Sequence, residues 1–336
     1  MPSQQNLFEV SGPAYLTSVN WSCPHDQRVV VASLVKATYI IEKDRVLAPA
    51  WWQHFHFDCK EVLRDVYDKS VYCCIYELKA CFSQHPSAPR FIVTFRGTML
   101  DRIRGLRDGF LDLLVTISGI NKDPRLKIAL EAVRRLISDY QETKKIWLAG
   151  HSLGASFATL TGKYIAKTDD IHLNTFLFNP PFPSISLDWF PNVNDKLKKG
   201  LRISKTIFKG GVSVLMQNQH KKSHEEFLKL APWIPYLFVN PQDPISTSYI
   251  RYFEGRKNAE GTILGSIEQV ASQTSLRGIC GDVLGKGSEM PHLLPSARLA
   301  VNLKKCDLHE IHGIHQWWQK DVSLKFYDYH YQPNKC

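Results

Sequence analysis

One short tract limits the fold more than any other. Ile146, Trp147, Leu148 and Ala149 form an apolar run that reads as a buried strand, and Ala155 to Ala166 reads as a helix of small and long apolar residues. Between them stands Gly150-His151-Ser152-Leu153-Gly154. A strand that turns so abruptly into a helix must pass close to itself, and the flanking glycines permit that approach. The turn is strained and pushes the serine hydroxyl out above the sheet.

The rest of the chain supplies a sheet for this turn. Short strands are expected at Val71 to Leu78, Arg90 to Phe95, Thr175 to Phe178, Tyr236 to Val239 and Arg298 to Leu303. A helix is expected over Asp26 to Val46. Asp123-Pro124 reads as an N-cap with proline at the first helical position, and Leu126, Leu130, Val133, Leu136, Ile137 and Tyr140 then share one face. Trp51, Trp52, Phe55 and Phe57 read as an aromatic cluster on the core edge. Strands alternating with helices predict a doubly wound, mostly parallel sheet, with function at the carboxyl ends of its strands.

Composition narrows the classes further. With 336 residues, 44% hydrophobic and 22% charged, the chain matches a globular protein able to bury its core without staples. No apolar run is long enough for a transmembrane helix, and Met1 to Val10 lack the basic-then-apolar order of a secretory signal, so an intracellular, cytoplasmic place is expected. None of the eight cysteines forms a Cys-x-x-Cys pair, and they read as reduced thiols. The net charge of +10 favours anionic surfaces. No zinc module or aromatic-basic RNA motif is present, so nucleic acid is not the expected partner.

Gly150-His151-Ser152-Leu153-Gly154-Ala155 and the upstream Phe95-Arg96-Gly97-Thr98 resemble the class 3 lipase group of α/β-hydrolases. The tracts Phe178-Asn179-Pro180-Pro181-Phe182 and His312-Gly313-Ile314-His315-Gln316-Trp317-Trp318 look like a plant lipase-like subgroup of it. Some of its members carry a GDSL esterase/lipase label, although no Gly-Asp-Ser box stands near this N-terminus. The resemblance covers about residues 71–318. It implies an α/β-hydrolase fold, a mostly parallel central sheet with helices on both faces. Residues 1–70 would be a helical and aromatic extension packed on a hydrolase domain at 71–336.

The resemblance also implies an esterase chemistry without cofactor or metal, acting on acyl esters such as lipids. Ser152 would be the nucleophile. Two donors must face the oxyanion: the Leu153 N–H, and Thr98 from the loop after an earlier strand. The acid must follow a later strand, and Asp243, between Pro241 and Pro244, fits; Asp188, Asp195 and Asp282 are rivals after no convincing strand. The base should follow the last strand and lead into aromatics. His312 matches best, and His315 is the alternative. A metal reading of His309, His312 and His315 is weak, because that spacing spreads them around half a helix.

Between Ser184 and Leu230 the pattern loosens. Nine Lys or Arg stand against four Asp or Glu, with Lys196, Lys198 and Lys199 clustered. The segment reads as a basic insertion over the sheet top, with two readings open: a solvated basic loop with a few core anchors, or a lid that contacts an anionic membrane surface.

Overall fold

In the computed structural model, residues 12–43, 50–98, 113, 116–117, 119–182, 227–259, 292–305 and 310–331 are described. The basic insertion from Ser184 to residue 226 lies outside them, as do Asp188, Asp195, Asp282 and His309. Among the described residues no helix is long and apolar enough to cross a membrane. The five cysteines described are free thiols.

Among the described residues, eight strands form a sheet whose order follows the sequence. They are β1 (Phe57–Arg64), β2 (Val71–Leu78), β3 (Phe91–Phe95), β4 (Ile146–His151), β5 (Asn174–Phe178), β6 (Tyr236–Val239), β7 (Ala297–Asn302) and β8 (Leu324–Tyr329). Strands β3 to β7 run parallel, while β1, β2 and β8 pair antiparallel at the two edges. The helices are α1 (Pro24–Lys43), α2 (Pro124–Tyr140), α3 (Leu153–Asp169) and α4 (Ser248–Ala259). This is an α/β-hydrolase fold, with helices on both faces.

The central strands are buried on both sides, and their residues divide by parity. Ile146 and Leu148 of β4 enter one core with residues of α2, α3 and α4; Trp147 and Ala149 enter a second core with α1. Phe176 and Phe178 of β5 and Phe238 of β6 also face the second core, while Leu177, Leu237 and Val239 face the first.

This division corrects the expectation of double winding. The strand order has no reversal, so the helices that follow β3, β4 and β6 pack on the same face. The opposite face is covered by α1, through Val30, Leu34, Val35 and Ile41, and by Trp317 and Trp318 near the other end of the chain. Arg28 Nε donates to the Trp317 carbonyl at 2.8 Å, which ties the two covers together.

Among the described residues before Val71, β1 is the edge strand of the sheet, and the buried Glu42 accepts a hydrogen bond from Val71 N–H at 2.7 Å. Strands β1 and β8 and helix α4 were not expected. A bulge between Cys59 and Glu61 breaks the alternation of β1, and β8 is largely exposed, so neither carries a clean pattern. The N-cap of α2 is as predicted: the Asp123 side chain accepts from Arg125 N–H at 2.9 Å, with Pro124 next.

Candidate active site

Each chemistry-bearing segment follows the carboxyl end of a parallel strand. Ser152 leaves β4 at φ 54° and ψ −127° and stands immediately before α3. For a residue with a Cβ this is a costly backbone conformation, of order 1–3 kcal/mol, held here by its surroundings. Ser152 N–H donates to the Phe178 carbonyl at 3.0 Å, and its own carbonyl accepts from Ala155 N–H at 2.9 Å.

The flanking glycines have a measurable reason. A Cβ on Gly150 would lie 2.2 Å from the Gly154 carbonyl oxygen, and one on Gly154 would lie 2.2 Å from that of Phe95. Strand β4, helix α3 and the end of β3 thus touch backbone to backbone. Gly97 has the same role one loop away: a Cβ there would lie 2.9 Å from the Ser152 Cβ. The Arg96-Gly97-Thr98 loop is therefore pressed against the serine. Arg96 donates to the carbonyls of Val71 and Gly97, which makes it a brace for that loop. Thr98 follows, half-buried, and Leu153 opens α3 with its side chain buried. The first amides of α3 have no helical carbonyl to bond and carry the positive end of its dipole.

Asp243 is fully buried in the turn after β6. Its Oδ2 accepts from His312 Nδ1 at 3.0 Å, Asn179 Nδ2 at 2.7 Å and Ser246 Oγ at 2.7 Å, and its Oδ1 accepts from Ile245 N–H at 3.0 Å. Burial alone would raise this carboxyl. The His312 ring and the hydrogen bonds from His312, Ser246 and Asn179 overcome that and hold it below its ordinary value.

His312 therefore presents Nδ1 to a fixed carboxylate. Its Nε2 is buried and has no hydrogen-bond partner, so no Ser152–His312 hydrogen bond is closed in this structure. His315 stands elsewhere: its Nε2 lies 3.7 Å from Glu310 Oε1 and its ring packs on Trp318. Burial lowers the His315 imidazole, against the opposing pull of Glu310. Of the two histidines, the one joined to Asp243 is His312.

The loop that carries His312 is pinned by a side chain that sequence reasoning passed over. Gln316 Nε2 donates to the carbonyls of Ile311 at 2.8 Å and Gly313 at 3.0 Å. Its Oε1 accepts from Asn240 Nδ2 at 2.9 Å and Asn302 Nδ2 at 3.1 Å, at the ends of β6 and β7. Asn179 was also missed as a participant. It is buried at φ 46°, and its Oδ1 accepts from Trp317 Nε1 at 2.6 Å. Its place, just after a parallel strand and before two prolines, is the signal that could have found it.

The chain is similar to known proteins. A family profile described as Lipase (class 3) matches residues 105–182. A protein of Arabidopsis thaliana named GDSL esterase/lipase is 36% identical over 99% of this chain and 100% of its own length. Among solved structures, a lipase from Rhizopus microsporus var. chinensis matches with TM-score 0.30 and 16% identity, over 51% of this chain and 63% of its own. The esterase Est22 matches with TM-score 0.32 and 11% identity, over 85% and 91%. With a relative this similar along its whole length, and with the class 3 profile across the serine turn, the chain belongs to the class 3 lipase-like group of esterases and lipases.

Proposed function

We propose that this chain is a serine hydrolase that cleaves carboxylic esters, acyl lipids foremost, through an acyl-enzyme. Two observations carry the reading together: His312 is held on the buried Asp243, and Ser152 occupies a strained strand-to-helix turn. Ser152 Oγ attacks the acyl carbonyl as His312 Nε2 takes its proton. The tetrahedral oxyanion accepts hydrogen bonds from the Leu153 N–H and from Thr98. His312 then gives the proton to the leaving alcohol, and water, activated by the same nitrogen, releases the acid. Asp243 keeps the ring in the tautomer whose Nε2 is a base and stabilises the imidazolium.

The unpartnered Nε2 supports this role, since it is the atom that must be free to take a proton. Catalytic hydrogen bonds often tighten only when substrate is bound. The same open contact favours one other reading, a hydrolase-fold protein that binds lipids or a partner without turnover. Fluorophosphonate labelling separates them. Wild type should label at Ser152 and hydrolyse a panel of lipid esters, and Ser152→Ala should lose both by several orders of magnitude while remaining folded. An unlabelled but folded wild type would favour the binding protein.

A further inference from the structure

Three segments distant in sequence meet at an imidazole that ester chemistry does not use. His151 is buried at the end of β4. Its Nδ1 lies 2.8 Å from Tyr39 Oη, and its Nε2 lies 2.7 Å from the main-chain oxygen of His312. Tyr39, on α1, has its hydroxyl 2.6 Å from Gly97 N. The ends of this chain have fixed polarity, because the Gly97 amide can only donate and the His312 carbonyl can only accept. The direction follows. Gly97 N–H donates to Tyr39 Oη, Tyr39 O–H donates to His151 Nδ1, and His151 Nε2–H donates to His312. The neutral Nε2–H tautomer satisfies every link. Burial, helped by the neighbouring His312 ring, pushes the His151 imidazole down to about 3, so it stays neutral.

We propose that Tyr39 and His151 are positioning residues that fix the Gly97-Thr98 loop and the His312 loop relative to each other through this one-way hydrogen-bond chain. What they position is set by the hydrolase reading above, on which the proposal rests. The packing leaves little slack: a Cβ on Gly97 would lie 2.7 Å from Tyr39 Oη, 2.8 Å from the His151 carbonyl and 2.9 Å from the Ser152 Cβ. Tyr39 also stacks edge-on against His151, with ring centroids 5.9 Å apart. Oxyanion donors must meet the oxygen, and the base the attacking and leaving oxygens, of one tetrahedral centre, and a misplacement of about 1 Å can cost about 100-fold in rate. By this chain the N-terminal helix, remote from the serine turn in sequence, becomes part of the catalytic geometry.

Tyr39→Phe tests the proposal by removing one oxygen and keeping the ring. Expected is a fall of about 10- to 100-fold in kcat on a small soluble ester, with KM within about twofold and a folded protein. Gly97 amide exchange should accelerate. His151→Gln, whose amide can accept from Tyr39 and donate to His312, should retain more activity than His151→Leu. Nitrogen-15 NMR of wild type should find His151 as the Nε2–H tautomer. An Nδ1–H tautomer, or wild-type kcat and Gly97 exchange in Tyr39→Phe, would overturn the proposal. So would an activity loss matched by an equal loss of folded protein. Failure of the hydrolase reading shows separately, as a wild type that fluorophosphonate does not label, because exchange and tautomer report on the chain without turnover.

Discussion

Asp243 holds more hydrogen bonds than a turn aspartate requires for its own loop. Ile245 N–H closes the turn, but Asn179 and His312 arrive from the ends of other segments. Asp243→Asn would keep the volume and put an amide where Asn179, Ser246 and His312 all need an acceptor. Turnover should fall by about 10³- to 10⁴-fold, as expected when an imidazole loses the partner that fixes its tautomer. His312→Ala should match Ser152→Ala, while His315→Ala, which loses an ion pair at 3.7 Å and a contact with Trp318, should stay within a few-fold of wild type in kcat/KM. An essential His315 would reassign the base. At this scale the sequence pointed to Ser152, Asp243 and two candidate histidines, because strand ends and chain order mark such positions. It did not show Asn179, Tyr39, His151 or Gln316 as partners, because a hydrogen bond between distant segments leaves no local pattern.

Elements meet here through backbone, and that makes two glycines untouchable. Gly154 faces the Phe95 carbonyl, which is main chain inside a parallel sheet and cannot rotate away as a side chain could. Gly154→Ala should therefore destabilise by more than about 4 kcal/mol, beyond the ordinary range for one methyl group, or fail to fold. Urea unfolding checks it, and a loss under about 1 kcal/mol would mean that β3 and α3 can separate. The strands β2 to β7 were legible to within a residue or two, since buried strands bounded by Gly, Asn and Pro carry a strong signal. The exposed edge β8 and the bulged β1 were not. Nor was the winding: alternation of strands and helices predicts a parallel sheet but says nothing about the order in which the strands lie side by side.

At the scale of the molecule, two imidazoles buried neutral among the described residues weaken the fold in acid. His151 and His292 are each pushed down to about 3, chiefly by burial, and both ring nitrogens of His292 lack a hydrogen-bond partner. The unfolded chain takes up these protons near pH 6.5, the folded chain only near 3. Between those values the unfolded state binds more protons, so stability is full above 6.5 and falls as pH drops, by up to roughly 2.7 kcal/mol per pH unit for two groups. Asp243 acts in the same direction, at lower pH: its depressed carboxyl stabilises the fold above the ordinary aspartate value and ceases to as pH falls through its own. His292→Leu should about halve the slope between pH 6 and 4 at little cost at pH 7, since it removes an unpaired buried polar group. Urea midpoints across that range measure it; an unchanged slope would mean that His292 is protonated in the fold. The net charge of +10, half of it between Ser184 and Leu230, belongs to the same scale. If that segment meets lipid, binding should be tighter to anionic than to neutral vesicles and weaken with salt, and replacing Lys196, Lys198 and Lys199 with Glu should reduce it while sparing a soluble ester. Equal binding to both vesicles would remove the surface from the mechanism.

The bond from Arg28 to the Trp317 carbonyl joins residues 289 positions apart, and Tyr15 Oη donates to Trp318 across 303. A ribosome therefore makes Arg28 289 positions before Trp317. While the chain between them is made, Val30, Leu34 and Val35 of α1 lack the part of their cover that Trp317 and Trp318 supply. His312 stands only a few residues before those tryptophans, so the proposed base and that part of the second core emerge together, and a nascent chain that has not yet reached them exposes apolar surface that favours aggregation.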